Sequence, residues 1–315
     1  MMSEFKNRVF GCAVVKAINS NYNADFSGQP RTLPSGIVYA TDKAFKYTIK
    51  NYLKDVYSDS EYILYFKRLK NEFTPDDLTD AYKRRFQSEV RNDTIETIAR
   101  NLLSCIDVRL FGATFAPKGE GIKNKNISIH GPVQINHGVN IWKENNIFSE
   151  QIMSPFRNPG ESGSEDKQAT TLGRQSKLEE GHYLHHFSIN PKNLIDVSTL
   201  AGEDAKKLSE DDILKLKEAM RRGVTWYDSA SKAGAENEML VWVQLNEDSK
   251  IVLPNFTTLI MLDDEKINGK CVYDFAGLKI ELERLNDEIA SIEVYYNKQT
   301  CSVKNLPVSA TEIDL

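Results

Sequence analysis

Between Asp107 and Asn140 the chain reads DVRLFGATFAPKGEGIKNKNISIHGPVQINHGVN, and this run narrows the available folds more than any other. Glycines at 112, 119, 121, 131 and 138 punctuate it, while Ile127, Ile129, Val133 and Ile135 alternate with polar residues as a half-buried strand requires. A buried turn of backbone therefore feeds a β-sheet. The polar positions Gln134, Asn136, His137 and Asn140 donate and accept hydrogen bonds but pair no nucleophile with a base. The expectation is a binding surface rather than a reaction centre.

The elements around this run have their own signals. Arg8 to Ile18 reads as a strand, and an Asn/Gly/Pro-rich loop follows from Asn19 to Ser35. Thr41 and Asp42 suit the start of a helix from Lys43 to about Asp55, with an apolar stripe of Phe45, Ile49, Tyr52 and Leu53. Lys43, Lys46, Lys50 and Lys54 form a cationic ridge on it, a shape that follows a phosphate backbone and that would equally serve solubility. Residues 57 to 104 look helical, with one segment over Glu61 to Leu69 and another starting near Thr74 with Pro75 in its first turn; Lys83, Arg84, Arg85 and Arg91 make the second basic. A strand is expected around Ile127 to Ile141. Pro155 to Glu180 is rich in Gly, Ser, Glu and Lys, too polar for a core element. A strand at His182 to Ile189, a helix from a Ser209 cap to Arg222, and a strand at Met239 to Leu245 complete the series.

Strand, helix, strand, strand, helix, strand is the order of the ferredoxin-like or split βαβ arrangement, which RNA-recognition modules use to present a four-stranded sheet to single-stranded RNA. The class is α+β, with residues 57–125 inserted after the first helix, a loop over 150–180 between the middle strands, and a C-terminal addition.

Composition sets limits on function. A chain of 315 residues, 40% hydrophobic, buries a full core. Nothing near the start reads as a signal peptide and no apolar run spans a bilayer, so a cytoplasmic protein with no membrane partner is expected. Cys12, Cys105, Cys271 and Cys301 form no CxxC pair and read as reduced core residues. Net charge is −5, yet residues 1–125 carry 20 Lys+Arg against 15 Asp+Glu and the remainder 20 against 30, so the positive excess is N-terminal. No P-loop or GxSxG occurs, and no cofactor is called for. His182, His185 and His186 invite a metal, but strand alternation puts His185 opposite the other two, and no metal site is assigned. Asp25, in NYNADFSGQPR, is the one loop carboxylate placed to act on RNA as acid or base, and a turn-forming Asp is the commoner role.

Several segments together resemble the backbone subunit of the type I CRISPR surveillance complex, Cascade, in the RAMP superfamily, most like the DevR-type members of subtype I-B. They are INSNYNADFSGQPR (18–31), TDKAFKYTIKNYL (41–53), DVRLFGATFA (107–116), GPVQINHGV (131–139), TLGR and HYLHHFSINP, with DVRLFG and GPVQ the specific pair. The resemblance implies a right-hand-like protein. Its RRM-like palm would comprise 1–56, 126–149 and 182–250, its helical fingers 57–125, its β-hairpin thumb 150–181, and 251–315 would add to the palm. It implies no catalysis: copies assemble head to tail along crRNA, display its bases to target DNA, and meet the large, small and guide-end capping subunits in antiviral defence. Carried over by position, the RNA-binding residues would be Asn21, Asn23, Arg31, Lys43, Lys46, Lys50, Arg109, Gln134, Thr171, Leu172, Gly173 and Arg174. NPNGD of the commonest family pattern is NSNYNAD here. Two rival activities remain, a crRNA-guided RNA endonuclease acting through Asp25 and a DNA-binding autoregulator. For Arg109 a structural role paired with Asp107 or a carbonyl stands beside RNA contact.

Overall fold

The structure, a computed structural model, describes residues 3–153 and 171–315. Strand β1, Val9–Ser20, organises it. Successive side chains point to opposite faces of a strand, so Val9, Ala13, Val15 and Ala17 enter one apolar core while Phe10, Cys12 and Val14 enter another. Gly11 lacks a side chain because a Cβ there would stand 2.2 Å from the Val241 carbonyl oxygen and 2.4 Å from the Phe187 ring.

After β1 come β2 (Tyr39–Ala40) and the helices α1 (Asp42–Val56), α2 (Leu78–Phe86), α3 (Ile95–Leu103) and α4 (Ile106–Phe111). Strands β3 (Gly112–Phe115), β4 (Ile127–His130), β5 (Val133–Ile135), β6 (Gly138–Asn140), β7 (Ile147–Met153) and β8 (Thr171–Ile189) follow. Then come α5 (Ile195–Ala201), α6 (Glu210–Trp226), β9 (Ala235–Leu245), β10 (Met261–Leu262), β11 (Cys271–Asp274), α7 (Ala276–Arg284), β12 (Ile289–Tyr296), β13 (Cys301–Lys304) and β14 (Ala310–Asp314). This is a mixed α+β protein. Its large sheet runs β14-β12-β9-β1-β8-β6-β2, with β5 and β7 also paired to β8, and it is antiparallel except where β12 meets β14.

Helices α1 and α6 pack on one face of the sheet. Thr41 caps α1 by accepting from the Ala44 amide, and Ser209 with Asp212 forms a reciprocal capping box on α6. A Cβ on Gly223 of α6 would lie 2.9 Å from the Thr48 carbonyl oxygen, so the missing side chain sets how close the helices come. The other face is covered by residues from 253 onward, including Phe256, Tyr273, Phe275 and Leu278. Both faces of the central strands are therefore buried, and the open four-stranded surface expected for single-stranded RNA is occupied by the protein's own second core.

Other expectations change in detail. Glu61 to Leu69 is not a helix: the Asp107 carboxylate accepts from the Leu64 and Tyr65 amides, both at 2.9 Å, in place of carbonyls one turn back. The helix expected near Thr74 starts only at Leu78, capped by Asp77. The single strand expected over Ile127 to Ile141 is three short ones, of which β4 leaves the large sheet to pair with β3. The end of Pro155–Glu180 does enter the core, since 171–180 extends β8 and buries Ser176 and Leu178.

Candidate nucleic-acid interface

The two motifs DVRLFG and GPVQ meet at two glycines. Gly112 has φ +73°, in the left-handed region, and its Cβ would fall 2.2 Å from the Ile129 carbonyl oxygen; a Cβ on Gly131 would fall 2.1 Å from the carbonyl carbon of Phe111. The two backbones cross in contact, which brings the Phe111 ring to α1. Lys46 and Lys50 hold their ammonium groups 5.7 and 5.8 Å from the centroid of that ring, and Lys50 lies 5.6 Å from the Tyr65 ring. The cationic row of α1 thus lies along aromatic faces, continued by Lys54 over Phe66 at 5.3 Å.

The lysines are not equivalent. Lys43 is exposed. Lys46 pairs with Asp42 at 3.1 Å one turn away on the same helix, with 18% of its side chain exposed. Lys50 lies 3.4 Å from the fully buried Asp107, which makes it the counter-ion of a carboxylate that holds two backbone amides.

Arg109 points the other way. It is 2% exposed, and its five N–H donors are spent on Asp212 (3.2 and 2.7 Å), Glu61 (3.0 Å) and the carbonyls of Leu103 (3.0 Å) and Ser104 (2.9 Å). The assignment of Arg109 to RNA is corrected: a guanidinium with every donor engaged inside the protein has none to offer a phosphate. Its partners are Asp212 and Glu61 rather than Asp107. Burial would lower its pKa, and the Asp212 and Glu61 pairs more than restore it.

The loop between β1 and β2 is fixed by its amides. Asn21 donates to the carbonyls of Gly28 (3.1 Å) and Ser176 (3.0 Å), tying the loop to β8, and the Asn23 carboxamide oxygen accepts from the Thr41 amide and hydroxyl at 2.9 Å each, tying it to the start of α1. Arg31 donates through Nε to the Ala24 carbonyl at 3.1 Å. Asp25 Oδ1 accepts from the Ser27 amide and hydroxyl and from the Gln29 amide at 2.8 to 2.9 Å. Those bonds, from the Ser27 hydroxyl first and then Gln29, lower the Asp25 pKa, which suits a turn-holding carboxylate and not a base.

This scaffold presents a residue that the sequence reading missed. Phe26 is completely exposed, at 105% of its reference area, with the Arg31 guanidinium 6.0 Å from its ring centroid. A phenylalanine amid NYNAD and SGQP, in a loop with no strand or helix to pack, was the available signal. Lys232 was also missed. It lies 5.5 Å from the Tyr22 ring beside the loop's first residues, and burial lowers its pKa to about 8.

The remaining expected residues lie on β5 and on the β7–β8 hairpin. Gln134 turns its Nε2 to the Gly131 carbonyl at 2.8 Å. Gly173 pairs with Ile152 and the exposed Arg174 with Gln151, next to the exposed Ile152 and Met153. The side chains of Thr171 and Leu172 lie outside the described residues, as do positions 154–170 of the expected thumb. Asn21, Asn23, Arg31, Lys43 and Lys46 are thus gathered around the loop and the start of α1, with the hairpin root attached through Ser176; Arg109 is not among them.

The histidines alternate as expected. His185 faces α1, stacked on Phe45 with centroids 5.0 Å apart, while His182 and His186 face the second core. Among the described residues, Glu180, His182 and Cys271 bring potential ligand atoms within 4.8 Å of one another.

A large, mostly antiparallel sheet flanked by helices, with a basic and aromatic row on α1 beside an amide-locked loop, defines an α+β protein with a cationic, aromatic-lined surface at the start of α1. The chain belongs to the family described as CRISPR-associated protein Cas7, whose family model matches residues 7–283. Among solved structures it is similar to a chain titled "CRISPR RNA-guided surveillance complex, pre-nicking", at 13% identity and TM-score 0.52 over 98% of this chain and 96% of that one. A second, titled "CRISPR RNA-guided surveillance complex", matches at 14% identity and TM-score 0.47 over 96% and 94%. No curated protein matches the sequence. No helix among the described residues is long and apolar enough to cross a membrane.

Proposed function

We propose that this chain is the non-catalytic backbone subunit of a type I surveillance complex, of the I-B kind, that lines up head to tail along crRNA in the cytoplasm. It holds the guide for pairing with target DNA, beside the large, small and capping subunits. Family membership supports this, and one feature of the chain carries the molecular reading: an amide-locked loop that displays Phe26 and Arg31 at the start of a lysine-bearing helix. Single-stranded nucleic acid is held by such a combination, cations for the backbone and an aromatic face for a base.

In this reading the palm comprises 1–56, 126–149 and 182–250. The sheet order β9-β1-β8-β6, with α1 and α6 after β1 and β8, is that of a ferredoxin-like unit. Residues 57–125 would be the fingers, 150–181 the thumb and 251–315 the addition that covers the palm's second face. Guide contacts are assigned to Asn21, Asn23, Arg31, Lys43, Lys46, Gln134 and the hairpin residues Thr171, Leu172, Gly173 and Arg174, with Phe26 added. Since both sheet faces are filled, the guide runs over loops and helix ends instead of across the strands.

Purification of the native complex and sequencing of its RNA tests this. CRISPR-repeat-derived ends on a spacer-length RNA are expected, and the combined Lys43→Ala, Lys46→Ala and Phe26→Ala variant should lose most of that RNA while eluting and melting as a folded chain. Undiminished RNA in the triple variant, or RNA without repeat-derived ends, would refute the assignment.

A further inference from the structure

Glu180, His182 and Cys271 come from two strands of different sheets and meet in the second core, away from the loop and the start of α1. Glu180 and His182 sit two apart on β8, hence on the same face, and Cys271 opens β11 of the small C-terminal sheet. His182 Nε2 stands 3.1 Å from Glu180 Oε1 and 3.8 Å from Cys271 Sγ. Those separations bracket the roughly 3.5 Å edge between ligands bonded to zinc at about 2.0 to 2.3 Å in a tetrahedron. The other imidazole nitrogen, Nδ1, lies 2.5 Å from the Glu238 carboxylate, which is itself buried and also accepts from Tyr273 at 2.7 Å and from the Cys301 thiol at 3.2 Å. A carboxylate on the far nitrogen of a histidine fixes its orientation and raises its basicity toward a metal.

We propose that Glu180, His182 and Cys271 bind a zinc ion, with Glu238 orienting His182 and a water completing the tetrahedron. The site does not depend on the guide-RNA reading. Exchange of one proton from His182 and one from the Cys271 thiol for a divalent cation leaves the buried charge unchanged, so the ion needs no further counter-charge. Lys266, which bonds Glu180 Oε1 at 2.6 Å and lies 5.5 Å from the Trp142 ring, shifts off that oxygen when the ion enters. Glu180 also lines a cavity of 70 Å³ together with Trp142, Glu144, Asn146 and Glu179. The ion would pin β8 to the C-terminal sheet, a structural role.

The full-length chain, loaded with zinc and passed over a chelating resin, is expected to retain one zinc per chain and to melt at a lower temperature once the metal is stripped by a strong chelator. Loaded with Co(II) instead, it should show the sulfur-to-cobalt charge-transfer band and the intense visible bands of a tetrahedral site, both lost in Cys271→Ser. Absence of retained zinc in the parent chain, a cobalt spectrum without the thiolate band, or an unchanged spectrum in Cys271→Ser would each overturn the proposal. Should Cys271→Ser fail to fold, the spectrum of the parent chain decides alone.

Discussion

Lys50 and Arg109 have the composition of RNA-binding residues and the surroundings of structural ones. Lys50 is the counter-ion of buried Asp107, whose two oxygens hold the Leu64 and Tyr65 amides, so charge reversal there strikes a carboxylate that has no other ion pair among the described residues. Lys50→Glu should destabilise the chain by roughly 3–5 kcal/mol, whereas Lys43→Ala should stay within about 0.5 kcal/mol, both read from denaturant midpoints. An unshifted midpoint for Lys50→Glu would show that the pair with Asp107 does no structural work. Reversal of Lys46 and Lys50 together is therefore a poor probe of guide binding. For Arg109 the sequence offered Asp107 or a backbone carbonyl as partner; the carbonyls of Leu103 and Ser104 do accept from it, but Asp107, two residues away on the helix, does not face it. The true partners, Glu61 and Asp212, are 48 and 103 positions distant, and no local pattern reveals them.

At the scale of elements, α1 and α6 were legible from an apolar stripe of period 3.6 behind a recognisable N-cap, and β1 and β9 from the near-continuous apolar runs of strands buried on both faces. The stretch after α1 was not. Ile63 and Leu64 look like one face of a helix, yet their amide neighbours are captured by a side chain 43 residues on. The β7–β8 hairpin was half legible, since the polar composition of 171–180 hid a strand whose ladder partners lie on both β1 and β7. Strand β8 also sets an acid limit. Burial lowers the His185 pKa to about 4, against the bond to the Asn136 carbonyl and the Asp42 charge, which raise it, and burial likewise lowers that of His186 to about 4. Both stay neutral inside. A folded pKa below the unfolded 6.5 contributes stability that is fully present above pH 6.5 and is lost as pH falls toward 4, by up to roughly 3 kcal/mol for fully buried His185. His182 acts in the opposite sense and only near pH 6.5: burial lowers its pKa but the Glu238 charge and its hydrogen bonds push it up to about 11, so it is charged in the folded state throughout, while the unfolded imidazole gains its proton as pH falls through 6.5, an offset of less than about 1 kcal/mol. Denaturation curves from pH 7 to 4 should show the decline, flattened in His185→Gln; a flat curve in the parent chain would contradict it.

For the whole molecule, the uneven charge acquires a spatial meaning. The N-terminal excess includes the α1 row beside the loop, and in the proposed head-to-tail assembly the acidic remainder of a neighbouring copy would offer it unlike charge. If each copy engages about four phosphates, affinity for single-stranded guide should fall with salt at a logarithmic slope of about −2.8 per subunit, reduced by about 1.4 in Lys43→Ala with Lys46→Ala. A slope near zero in a binding titration across salt would exclude a phosphate-dominated interface. Strand β8 carries this interface to a distance. From Leu178 to Ile189 it is held by β1, while from Thr171 to Lys177 its described ladder partner is β7 alone. Those seven residues span about 23 Å at 3.3 Å each. The hairpin is in effect a cantilever: a load at its end is borne at the root, where Ser20 pairs with Leu178 and Asn21 grips the Ser176 carbonyl. Stiffness of the arm, and in the proposed assembly the spacing between neighbouring copies with it, would therefore be set by a few buried groups near residue 178.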